Sequence, residues 1–222
     1  MPFFHAGPAP RAPGPRRGAL RDGLDLQPGM KVGLFGGSFN PAHEGHAHLA
    51  ETALHRLGLD RVVWLVSPQN PLKDPRDSAP LAERMASARA VAARTVSGPA
   101  MIVSDVESRI GTRWTIDTLR ALTARHPGVR FVWLIGSDNL ATFHRWRGWT
   151  DIMRTTPVAV IARPGSELAG LAAPAAVRFA GARVPPSQAR RLPHLQAPAW
   201  TWLNAPMNSH SSTALRAAAR NR

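Results

Sequence analysis

Gly36-Gly37-Ser38-Phe39-Asn40-Pro41-Ala42-His43-Glu44-Gly45-His46 is the stretch that decides the fold of this chain. The apolar run Val32-Gly33-Leu34-Phe35 before it reads as a buried strand, and the periodic segment from Ala47 reads as a helix. A strand, a glycine-rich turn and a helix start present backbone N–H groups to a phosphate. His43 and His46 stand three residues apart at that turn, where both imidazoles can donate to one anion. Zinc is the competing use of the pair, with His48 as a third candidate. It would need further Cys, His or acidic ligands at suitable spacing, and the chain has no cysteine.

Outward from this turn the chain alternates. Apolar, β-branched runs at 31–36, 61–66, 100–104, 129–135, 157–162 and 199–203 predict strands. Helical segments are expected between them at 46–58, 80–96, 114–125 and 140–153, with a last one at 212–220. Strand and helix repeating at this spacing predict βαβ units and one doubly wound, Rossmann-like parallel sheet. Runs such as Arg61-Val62-Val63-Trp64-Leu65-Val66 suit strands buried on both faces. In open sheets of this kind ligands bind beyond the carboxyl ends of the strands. The Gly36 turn, Ser67, Ser104, Gly136 and Arg163 all fall at such ends. The segment 164–198 holds six prolines, so only a short helix near 187–192 is expected there.

Composition sets the outer bounds. A chain of 222 residues, 44% hydrophobic, suits one α/β domain with trimmings. The absence of cysteine removes thiolate chemistry and fits a reducing cytoplasm. No apolar run is long enough to span a bilayer, and no signal-peptide h-region opens the chain. Residues 1–29 carry six prolines, five glycines and four arginines without an apolar period, so a disordered tail is expected there, with the domain over 30–222. Met30, directly before the first strand, is a candidate second translation start. The net charge of +14 favours polyanionic partners, although a codon bias towards arginine explains much of it. A nucleic-acid binder is disfavoured, because neither an RNA-recognition aromatic motif nor a zinc knuckle is present.

A second anion site is offered by Ser211-Ser212-Thr213-Ala214-Leu215-Arg216. Here hydroxyl N-caps open an Ala-rich helix with an arginine one turn in. By itself a capped basic helix is commonplace.

The 36–46 stretch resembles the G-x-F-x-P-x-H-x-G-H signature of nucleotidyltransferases that share the class I aminoacyl-tRNA synthetase type of fold. Read with the second site, the chain from Lys31 onward is similar to bacterial nicotinate mononucleotide adenylyltransferases. The 211–216 segment resembles that family's I-S-S-T-x-x-R element over the ATP phosphates, with His210 in place of the usual Ile or Leu. Ser67-Pro68-Gln69-Asn70-Pro71-Leu72-Lys73 is similar to the loop whose lysine lies near the phosphates. Trp114-Thr115-Ile116-Asp117-Thr118-Leu119 resembles the element carrying the pyridine pocket. Ile135-Gly136-Ser137-Asp138 resembles the Gly-x-Asp turn followed by Trp146, and Ala162-Arg163-Pro164-Gly165 the turn beside adenine.

The resemblance implies adenylyl transfer from ATP to nicotinate mononucleotide in NAD biosynthesis, with Mg²⁺ held mainly by phosphates and water. It implies His43 and His46 as catalytic residues. ATP would meet Gly36, Gly37, Ser38, Phe39, His43, His46, Gly136, Asp138, Arg163, Ser211, Ser212, Thr213 and Arg216. The mononucleotide would meet Ser38, Asn40, Lys73, Trp114, Thr115 and Trp146. A flat Trp114 or Trp146 can stack on a cationic pyridine ring, and Asp138 can accept from ribose hydroxyls. Nicotinamide mononucleotide and phosphopantetheine are the rival substrates, and a homo-oligomer is left open.

Overall fold

The computed structural model describes residues 22–68, 78–162 and 170–204. Its centre is a single sheet of seven strands in the order β3-β2-β1-β4-β5-β7-β6, every adjacent pair parallel. The strands are β1 Lys31–Gly37, β2 Arg61–Val66, β3 Met101–Ser104, β4 Arg130–Gly136, β5 Val158–Ile161, β6 Arg183–Val184 and β7 Trp200–Leu203. Among the described residues the α-helices are α1 Glu44–Leu57, α2 Leu81–Ala93, α3 Val106–Ile110, α4 Thr115–Arg125, α5 Ser137–Thr142, α6 Trp149–Thr155 and α7 Pro174–Arg178. The strand order turns outward in opposite directions from β1 and β4, so the crevice between their carboxyl ends is the switch point of the sheet.

Side chains alternate between two cores, as a sheet covered on both faces requires. Along β2, Val62, Trp64 and Val66 enter the core under α1 and α2, while Val63 and Leu65 enter the core under α4 and α6. In β4, Val132 and Leu134 take the first side, and Phe131, Trp133 and Ile135 the second.

Three expectations change. The helix expected over 140–153 is two helices, separated by a short 3-10 turn at Phe143–Arg145 and by Gly148, which is left-handed at φ 65°. The short helix near 187–192 is a 3-10 helix over Pro186–His194, and β6 precedes it. The tail boundary at residue 29 falls inside packed structure, because Leu24 and Leu26 join the second core. Asp22 meets the imidazole of His126 at 2.9 Å with both side chains buried. The strap alternates, with Asp22, Leu24 and Leu26 buried and Gly23, Asp25 and Gln27 exposed, but an alternation of two leucines and one acid is too short to stand out in the sequence.

Candidate active site at the carboxyl ends of β1 and β4

The turn after β1 is held from below and from within. A Cβ on Gly36 would collide with the Trp133 indole, so this position needs glycine for packing as well as for ligand approach. Phe39 has a positive φ of 47°, an unfavourable region for an aromatic residue. Its ring stacks on Trp64 at 5.2 Å and meets Phe35 edge-on at 5.3 Å, which compensates the backbone strain. Phe39 is therefore core. Of the expected ligand contacts, only its backbone is available at the turn.

His43 is the N-cap of α1, and the two imidazoles cap the helix reciprocally. The Gly45 N–H donates to Nδ1 of His43 at 3.1 Å, and the His43 N–H donates to Nδ1 of His46 at 3.2 Å. The rings lie 3.8 Å apart between centroids, tilted by 41°. A neutral imidazole that accepts at Nδ1 carries its proton on Nε2. The capping box thus fixes both rings in the tautomer that donates from Nε2, the form an anionic oxygen requires. In this arrangement helix start and candidate anion donors are one structure, and zinc at either Nε2 would move that ring's proton to Nδ1, where it would face a backbone N–H. Among the described residues no group of three or more His, Cys, Asp or Glu side chains is arranged to hold a metal.

Ser38, expected at both substrates, has its hydroxyl buried with no hydrogen-bond partner among the described residues. Buried hydroxyls are nearly always paired, which makes this one a candidate ligand contact. Asn40 accepts at Oδ1 from the Ala79 N–H at 3.3 Å, which ties the turn to the start of α2. Across the crevice, Gly136 ends β4 and Asp138, the second residue of α5, has an exposed side chain. Ser104, also at a strand end, is instead buried and accepts from Val106 N–H and the Arg109 guanidinium.

On the second side of the sheet, Trp114 is the half-buried N-cap of α4 and Thr115 its first residue. Both the Arg113 and Arg147 guanidiniums lie over the Trp114 ring at 5.4 Å, cations that the sequence did not lead us to expect there. Trp146 packs against Phe143 at 5.2 Å and edge-on against Trp133 at 6.4 Å. Behind this loop, Thr118 Oγ1 donates to the buried Glu107 carboxylate at 2.9 Å, and Thr112 lies 2.9 Å from the same hydroxyl. Burial raises the Glu107 pKa to about 6, against a smaller lowering by the Thr118 hydrogen bond.

Two side chains that sequence reasoning missed stand out. Glu107 is one. The other is Arg84 on α2, whose guanidinium is buried and donates to four backbone carbonyls: Ala79 at 2.9 Å, Ser38 at 2.8 Å, Ser67 at 2.7 Å and Pro68 at 2.9 Å. Burial lowers its pKa, but four acceptors keep it charged. A lone arginine in an ordinary helical pattern gives no sign of such a role. Lys73, Arg163, Ser211, Ser212, Thr213 and Arg216 lie outside the described residues.

The comparisons with known proteins agree with this geometry. The family pattern described as cytidylyltransferase-like matches residues 34–218. A Caulobacter sp. (strain K31) protein named "Probable nicotinate-nucleotide adenylyltransferase" is 64% identical over 84% of this chain and 97% of its own length. Proteins of the same name from Roseobacter denitrificans and Methylorubrum extorquens are each 53% identical, over 85% and 84% of this chain and 92% and 99% of their own lengths. The chain belongs to the cytidylyltransferase-like family and, within it, to the nicotinate-nucleotide adenylyltransferases. The nicotinic acid mononucleotide adenylyltransferase of Plasmodium falciparum, complexed with NaAD, shares the fold at a TM-score of 0.66. That match has 15% identity and covers 85% of this chain and 83% of that one.

Proposed function

We propose that this protein transfers the adenylyl group of ATP to nicotinate mononucleotide, giving nicotinate adenine dinucleotide and pyrophosphate in NAD biosynthesis. The observation that supports this reading is the reciprocal cap of His43 and His46, which occupies Nδ1 of both rings and leaves Nε2 as the donor in the turn beside the sheet's switch point. The mononucleotide's phosphate oxygen attacks the α-phosphorus of ATP in line, and the bond to the β-phosphate bridging oxygen breaks. No protein nucleophile is required, so catalysis is positioning plus charge stabilisation. His43 and His46 donate to oxygens whose charge grows in the transition state. The hydroxyl of Ser38 finds its missing partner on a bound nucleotide.

The remaining assignments follow the resemblance. Asp138 accepts from the ribose hydroxyls, and Arg163 lies by the adenine. Ser211, Ser212, Thr213 and Arg216 hold the β- and γ-phosphates, with Lys73 nearby. Trp114, Thr115 and Trp146 form the pyridine pocket, where Arg113 and Arg147 add charge opposite to the substrate carboxylate. A divalent ion accompanies ATP, and Mg²⁺, which keeps several waters and binds through phosphates, suits a site with no carboxylate cage among its described residues. The reaction is assigned to the cytoplasm. No described helix is long and apolar enough to cross a membrane.

Pyrophosphate release measured with ATP and each of nicotinate mononucleotide, nicotinamide mononucleotide and phosphopantetheine tests the assignment. The expected result is the highest kcat/KM with nicotinate mononucleotide. Equal values for the two mononucleotides would remove nicotinate from the reading, and preference for phosphopantetheine would overturn it.

A further inference from the structure

The Arg84 guanidinium is an unusual investment. It takes a charge out of water and spends four hydrogen bonds on carbonyls of two loops rather than on an acidic partner. A buried charge of this kind gives less stability than an apolar side chain of similar volume would. What it provides is geometry, because a planar fork fixes the directions of all its acceptors at once. Ser38 belongs to the turn after β1, while Ser67 and Pro68 belong to the loop after β2. Both loops stand at the carboxyl ends of adjacent strands, beside the switch point. The helix and the residues just ahead of it contact the turn twice more. The Ala42 N–H donates to Ser87 Oγ at 3.1 Å, and Asn40 accepts from Ala79, just ahead of α2. Ser38, Asn40 and Ala42 are thus held at alternate positions of the turn, immediately before His43.

We propose that Arg84 is a positioning residue for adenylyl transfer, tying the turn before His43 to Ser67 and Pro68 at the end of β2, with Ser87 as its second anchor on α2. This rests on the reading that His43 and His46 act on the phosphates. Displacing donors by a fraction of their contact distance affects the transition state more than ground-state binding, because the transition state alone demands the full alignment.

The experiment measures kcat and KM for both substrates, per folded molecule and well below the melting temperature, in Arg84→Lys, Arg84→Ala, Ser87→Ala and His46→Ala. Lysine reaches at most part of the carbonyl set, so Arg84→Lys should lose ten- to a hundredfold in kcat, with each KM changed less than about threefold. Ser87→Ala should lose several-fold in kcat. Guanidinium ion at tens of millimolar should restore part of the kcat of Arg84→Ala, and urea at the same concentration should not. A purely structural role would lower the melting temperature of these variants and leave kcat alone. Native kcat in Arg84→Lys therefore overturns the proposal. If neither Arg84 variant folds, Ser87→Ala decides: a several-fold kcat loss supports the proposal and a native kcat overturns it. A near-native rate in His46→Ala would instead overturn the phosphate reading of the turn, and this inference with it.

Discussion

The His43 turn and the Trp114 loop serve the same end of the sheet and are built by opposite means. The turn is closed on itself: its imidazoles cap their own helix, its strained Phe39 is stacked on Trp64, and Arg84 holds the Ser38 carbonyl from behind. The Trp114 loop is looser. Its ring is half-buried under two exposed arginines, and its principal buried polar anchor is the single carboxylate of Glu107. The division matches the two tasks proposed for them. Phosphoryl chemistry needs donors fixed to a fraction of an ångström, whereas a planar ring can be received by side chains that adjust.

The hardest test of this division is His46→Ala. It should lower kcat on the order of a hundredfold or more with less effect on KM for ATP, the mark of a donor acting in the transition state. A near-native rate in His46→Ala would leave the turn with only a capping role, and His43→Ala should show the same kind of loss.

Next in size is removal of residues up to Gly29, which strips Leu24, Leu26 and Asp22 from the core behind the Trp114 side. Two buried leucines contribute about 3 kcal/mol or more of transfer free energy. Thermal unfolding should therefore move down by roughly 10 °C for a chain of this size. The chemical step at low temperature should persist. An unchanged melting temperature would return the strap to the status of a dispensable tail.

Glu107 gives a smaller effect with a definite sign. Its folded pKa, about 6, lies above the ordinary carboxyl value, so the folded state binds the proton more tightly than the unfolded state. The stability from this group is complete below the unfolded value near pH ~4.3 and is lost as pH rises through about 6. Glu107→Gln keeps an acceptor for Thr118 and removes the titration, so it should be more stable than the parent at pH 8 by up to about 2 kcal/mol. Parallel melting curves for the two proteins from pH 5 to 8 would contradict this account.

Trp114→Ala is the mildest. Loss of a stacking partner of about 1 kcal/mol should raise KM for the mononucleotide roughly fivefold and leave KM for ATP nearly unchanged. The reverse pattern would put the pyridine ring elsewhere.

Much of this was legible in the sequence, and unevenly so. Strands β1 to β5 and β7 follow from their apolar runs to within a residue or two, because a sheet buried on both faces must be written in continuous hydrophobes. The His43 turn was legible for a related reason, since glycine, proline and histidine at fixed offsets have few other uses. Gly148 splitting the expected 140–153 helix was hidden by a run of aromatics that keeps its period across the break. Arg84 and Glu107 were hidden more deeply. Their roles come from carbonyls and hydroxyls brought together by the crossover helices, and nothing local in α2 or α3 announces a buried charge.

The parallel topology also sets when the active site can exist. Strand β1, which ends in the histidine turn, pairs on one edge with β2 and on the other with β4, about a hundred residues further along the chain. At ~5–20 residues per second of synthesis, that second edge waits roughly 5–20 s for its partner. The pairing closes a long loop, and such contacts form late in folding. During that interval the turn has its helix and its β2 neighbour but not the Trp133 indole beneath Gly36. The candidate crevice therefore forms only after more than half of the chain has been made, and the first hundred residues alone present a bare apolar strand edge in its place.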